Sequence, residues 1–98
     1  MFNEELLGKL SAMKAQAEET KARLENLHAT EEVGGGLIRI TLNGNRKLID
    51  LTINGDHSTM DKEELEDLLS VAINRVLDKV NDLNEQEVMQ SAQSLFKG

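Results

Sequence analysis

Residues 34–55 read GGGLIRITLNGNRKLIDLTING, and the period of that stretch decides the fold. Successive side chains of an extended chain point to opposite faces, so Ile38, Ile40 and Leu42 fall on one side and Leu37, Arg39 and Thr41 on the other. Beyond a break, Ile49, Leu51 and Ile53 alternate in the same way with Leu48, Asp50 and Thr52. Asn43-Gly44 lies between the two runs, and both residues tolerate positive φ, which makes the pair a hairpin signal. The five residues from Asn43 to Lys47 suit a four- or five-residue loop better than a two-residue turn. Asn54-Gly55 closes the second run. Strands are therefore expected at 37–42 and 48–53. A third, at 29–33 (Ala29 to Val33), would pair with the hairpin after a bend at Gly34-Gly35-Gly36.

Outward from this hairpin the period changes to that of a helix. Upstream, Asn3, Leu6, Leu10, Met13, Ala17, Thr20, Leu24 and Leu27 are separated by alternating steps of three and four residues. That spacing is a heptad seam on an otherwise charged helix, expected over about residues 4–27. Gly8 weakens its first turns. Downstream, Asp61 is the expected N-cap of a second helix, with Glu64 three residues later as capping-box partner and Met60 with Leu65 as a staple. Acidic Glu63, Glu64, Glu66 and Asp67 complement the helix dipole. The apolar face continues through Leu65, Leu68, Leu69, Ala72, Ile73, Val76, Val80 and Leu83, and no proline interrupts a helix over about residues 62–95.

Ninety-eight residues without cysteine or proline fit one small domain spanning 1–98, with neither a disulfide framework nor a thiolate metal site. The only aromatics are Phe2 and Phe96, so the core has to be aliphatic. Five acids among the first thirty residues are wrong for a secretory or transit peptide, and no apolar run approaches the length of a membrane span. The chain therefore reads as soluble and intracellular. Its net charge of −7 is concentrated at the end, because residues 61–98 carry nine acids against four bases. Such a surface repels a polyanion at long range and favours cationic partners. Val33 to Ile49 escapes this, with Arg39, Arg46 and Lys47 and no acid.

Catalytic and metal chemistry find little support. Asp50, Thr52, Asn54, Gly55, Ser58 and Asp61 fit six positions of a calcium loop, but position 12 lacks the bidentate Glu and a strand stands where a helix should enter. The glycine run feeds a strand rather than a helix N-terminus, so it is no phosphate cradle. His28 and His57 have no ligand or nucleophile at a recognisable spacing, and no serine sits in a nucleophile elbow. No enzyme activity, no metal and no cofactor is expected. Binding remains, and its candidate cations are Lys14, Lys21 and Arg23 on the first helix, Arg39, Arg46 and Lys47 on the hairpin, and Arg75 and Lys79 on the last helix. Lys14 and Lys21 lie one heptad apart and so share a helix face.

The opening Met1-Phe2 and the segment from Glu32 through the glycine run to Gly44 resemble the YbaB/EbfC family of bacterial nucleoid-associated proteins. So do the strand from Lys47 to Ile53 and the acidic helix entry from Asp61 to Leu69. The likeness runs through nearly the whole chain in order and length. It implies an α+β fold with an α-β-β-β-α protomer, a small antiparallel sheet and two long projecting helices. It further implies a cytoplasmic, nucleoid-located homodimer whose paired arms clamp duplex DNA, with no membrane and no small-molecule substrate. The eight cations above would then be phosphate contacts. Two chains would carry twice the charge of one, so clamping requires bases segregated from acids. The alternative is a small acidic dimeric chaperone or adaptor, which would need exposed apolar grooves for a protein partner.

Overall fold

The computed structural model describes residues 3–55 and 60–97, so that His57 and Ser58 lie outside the described residues, as do Met1 and Phe2. The chain runs α1 (Glu4–Glu25), β1 (His28–Val33), β2 (Ile38–Asn43), β3 (Leu48–Ile53) and α2 (Lys62–Lys97). The α-β-β-β-α order expected from the changes of period is the order observed. The molecule is elongated, 67 × 22 × 17 Å.

The three strands form an antiparallel sheet in the order β1-β2-β3. Its register places Ala29, Glu31 and Val33 opposite Leu42, Ile40 and Ile38. These residues share the face toward α2, whereas Thr30 and Thr41 pair on the other face, their hydroxyls 2.8 Å apart. All three glycines of the Gly34–Gly36 bend take positive φ, the conformation that a side chain resists. A register shift between Thr41 and Leu42 marks a β-bulge against β3, where Leu42 pairs with Leu48 and Thr41 with Asp50.

Ala72, Val76 and Val80, four residues apart along one stripe of α2, are fully buried against Val33, Ile38, Ile40 and Leu42. Leu65, Leu68, Leu69 and Leu77 flank this aliphatic core. Ile73, counted on the apolar face by periodicity, stays exposed, and Leu77 packs in its place. The reason is width. One helix covers β1 and β2 but does not reach over β3, so Leu48, Ile49, Leu51 and Ile53 remain exposed on the edge strand.

Both helix starts are capped by side chains. Asn3 Oδ1 accepts the Leu6 N–H at 2.7 Å, and Asp61 Oδ1 accepts that of Glu63 at 3.4 Å. The C-terminal end of α1 is set by the hairpin. The Gly44 N–H donates to the carbonyls of Leu24, at 2.9 Å, and Leu27, at 2.8 Å, so the helix closes at Glu25 and not at residue 27. Gly44 is not left-handed; the positive φ of this turn belongs to Arg46, at 67°. What position 44 requires is room. A Cβ there would lie 2.7 Å from Leu24 Cδ2 and 2.8 Å from the Leu24 carbonyl oxygen. Gly44→Ala should therefore destabilise the protein by about 1–3 kcal/mol, the usual cost of forcing an extra carbon into a packed contact. Urea denaturation checks this: a midpoint shifted down at unchanged slope is expected.

Candidate nucleic-acid interface

Beyond the sheet, α1 and the second half of α2 run antiparallel and form one arm. Three polar contacts fix their pairing. The hydroxyls of Thr20 and Ser91 hydrogen-bond to each other in a buried position. Arg23 Nη2 donates to Ser91 Oγ at 3.0 Å and to Thr20 Oγ1 at 3.3 Å. Arg23 Nε meets Glu87 Oε2 at 3.4 Å, and its other face meets Glu19 at 3.7 Å. This cluster escaped the sequence reading. Its signal was present in Thr20, a polar residue on the heptad seam, and in Ser91 on the continuation of the α2 stripe. A hydroxyl at a seam position has to find a partner once it is buried.

Four of the eight candidate cations, Arg23, Arg39, Lys47 and Lys79, are engaged by acids. Lys79 Nζ reaches Glu31 Oε2 at 2.7 Å and the Thr30 carbonyl at 2.9 Å, pinning α2 to β1. Arg39 lies 3.8 Å from Glu32 across the β1–β2 pair. Lys47 Nζ is 3.1 Å from Glu25 Oε1, and Arg46 Nε donates to Asn81 Oδ1 at 2.7 Å. Among the described residues, Lys14, Lys21 and Arg75 have no ion-pair partner, and all three are exposed. The eight candidates do not converge on one spot. The structure does bring Lys21 to the hairpin turn, where Asn45 Nδ2 donates to its carbonyl at 3.0 Å and Lys47 sits on Glu25 one helical turn away. Lys14 and Lys21 continue this basic edge along the arm.

The Glu25 carboxylate is the anionic centre of the turn. Hydrogen bonds from Asn45, at 2.6 Å, and from Lys47 hold it below the ordinary glutamate value of 4.5. No helix among the described residues is long and apolar enough to cross a membrane.

A three-stranded sheet carrying a projecting helical arm with an unpaired basic edge is the architecture of a small binding protein. Residues 1–95 match the YbaB/EbfC DNA-binding family, and the chain belongs to that family. It is 39% identical over 83 residues to a nucleoid-associated protein of Flavobacterium johnsoniae, covering 85% of this chain and 77% of that one. A nucleoid-associated protein of Campylobacter fetus is 34% identical over 102 residues, covering all of this chain and 94% of its own. Among solved structures, the fold is similar to the crystal structure of an uncharacterized Helicobacter pylori protein, with a TM-score of 0.79 and 25% identity. That match covers 92% of this chain and 97% of the other.

The depressed Glu25 pKa has a direct consequence for stability. The folded state holds the proton less tightly than the unfolded state, so Glu25 contributes stability above its unfolded value. That contribution is lost as pH falls through the lower, folded value. Melting temperature measured across the acid range should fall more steeply below pH 4.5 for the natural chain than for Glu25→Gln. Parallel curves would show that the turn draws nothing from the charge.

Proposed function

We propose that this chain is a non-enzymatic, nucleoid-located DNA-binding protein, a single domain that acts as a homodimer and holds duplex DNA by phosphate contacts. The observation that carries the reading is the exposed, unpaired pair Lys14 and Lys21 on the outer arm, joined to the basic turn at Arg46 and Lys47. The acids of α2 lie between residues 63 and 87, and none follows on the last turns of the arm, residues 88–97. This gives the segregation of charge that an acidic protein needs in order to approach a polyanion. Arg39 and Lys47 would join by exchanging a surface carboxylate for a phosphate, at little cost because exposed ion pairs contribute only about 0–1 kcal/mol. Arg23 and Lys79 would join while keeping their largely buried partners Glu87 and Glu31.

The dimer reading rests on β3. Leu48, Leu51 and Ile53 lie in register with the buried residues of β2, yet no element of the same chain covers them. An apolar edge strand of this kind invites pairing, and a second copy laid over β3 would complete the core that α2 leaves open. Two arms then project from a shared centre, which gives the clamp.

Two measurements test these readings. Fluorescence anisotropy of a labelled mixed-sequence duplex should show saturable binding whose log affinity falls with log salt by about 0.9 per neutralised phosphate. Lys14→Glu with Lys21→Glu should lower that slope by about two contacts and weaken binding roughly equally across sequences. Unchanged affinity would make both lysines ordinary surface, and no binding of the natural chain at low salt would leave the adaptor reading. Sedimentation equilibrium should show Leu51→Asp lowering the mass by half, and a natural chain sedimenting as a clean monomer would refute the shared sheet.

A further inference from the structure

The far end of the arm carries surface that neither the sheet nor a DNA backbone explains. The seam of α1 is buried only in its last turns, at Thr20 and Leu24, whereas Leu6, Leu10 and Met13 are exposed. On α2, Leu95 beside Met13 and Val88 beside Leu24 are exposed, and Phe96, at 92%, is almost wholly in solvent. Leu7 and Met89 add to this surface, so eight large apolar side chains stand exposed along the arm. Exposed apolar side chains in such number mark an interaction surface.

The patch has a knob and a hole. Between the two helices lies a groove of about 340 Å³ with walls formed by Met13, Ala17, Leu24, Val88 and Leu95. Of its polar residues, Thr20 and Ser91 already satisfy each other and Arg23, while Gln16 and the exposed Lys21 also line it; the remaining walls present apolar carbon to whatever enters. Phe96 stands one residue beyond the groove wall, at the end of the helix.

We propose that the arm tips of two copies of this chain pack against each other, the Phe96 ring of each entering the groove between α1 and α2 of the other. A two-fold axis across the tip makes the contact self-complementary, since knob and hole occupy adjacent places on one surface. Charge singles out a second copy as the occupant. A chain of net charge −7 would repel itself over most of its surface, but residues 88–97 contain no acid, and Glu4 and Glu5 on α1 are balanced by Lys9 and Lys14. The tip is the one long stretch where like-charge repulsion is absent. Its polar rim suits self-pairing too, because Gln16, Gln90 and Gln93 can each donate and accept.

This contact is separate from the sheet face, and the two together would join DNA-bound dimers through their arms. Sedimentation equilibrium of the full chain, up to millimolar concentration and without DNA, tests it. The natural chain should form a species of twice the mass reached by Phe96→Asp, whose dissociation constant at the tip should rise on the order of tenfold or more, as for loss of a buried aromatic anchor. Ala17→Trp, which fills the groove from an exposed position, should have the same effect. Circular dichroism should show both variants folded, since neither site is buried. Equal masses for the natural chain and both variants would overturn the proposal, and an effect of Phe96→Asp without one of Ala17→Trp would overturn the seating of the ring. Leu51→Asp keeps the test independent of the sheet. In that background the tip contact should persist, and adding Phe96→Asp should abolish it.

Discussion

The turn from Asn43 to Lys47 is where α1 is tied to the hairpin and α2, whose shared aliphatic core α1 does not enter. A helix end leaves four carbonyls without partners, and α1 has little apolar burial with which to offset the loss. The Gly44 N–H takes the carbonyl of Leu24 and that of Leu27 just beyond the helix, Asn45 takes the carbonyl of Lys21, and the Gly44 carbonyl accepts from Asn84 of α2 at 3.0 Å. Asn43, almost fully buried, holds the turn from inside, its Oδ1 accepting the N–H groups of Asn45 at 2.9 Å and Lys47 at 3.1 Å. Helix α1, the hairpin and α2 thus meet at one backbone site. The direction in which the arm leaves the sheet follows from that site, and the arm's chemistry depends on it.

Electrostatics then divides the molecule into two functions. Lys79 with Glu31, Arg23 with Glu87 and Lys47 with Glu25 join segments that approach only in the folded chain. They act as ties at joints where apolar contact is thin. Lys14 and Lys21 are exposed on α1, which leaves their charge available. A sum of −7 therefore describes the whole chain and no single region of it. The two helical stretches of the arm, residues 4–25 and 80–97, carry eight acids against five bases, and the acid-free part is the last turns of α2.

Strand β2 was legible because alternation at Ile38, Ile40 and Leu42 reports a half-buried sheet directly, and the Asn-Gly pair located the hairpin. Strand β3 has the same alternation and a different fate. Periodicity shows which residues share a face, but coverage depends on how wide a surface one helix spans. The seam of α1 carries the same ambiguity: its spacing is uniform from Leu6 to Leu24, yet only its end meets α2. The candidate site was the least legible part. Nothing local to Arg23 or Lys79 announces Glu87 or Glu31, since ion pairs across the fold come from register and helix placement. Lys14 and Lys21 could be read as one face from their spacing alone, and the structure adds that no acid answers them among the described residues.

Helix α2 continues through 36 residues without a glycine or a proline, and only its first half is anchored in the core. The rest, from Val80 to Lys97, is about 25 Å of cantilevered rod at 1.5 Å per residue. It has no joint of its own at which to bend. Displacement at its tip is consequently set at its root, where Ala72, Val76 and Val80 rest on the sheet: a rocking of about 5° there sweeps the end of the rod through about 2 Å. The small aliphatic residues under the helix serve as a fulcrum, and any change in how the sheet is covered is transmitted, geometrically amplified, to the position of the arm's far end.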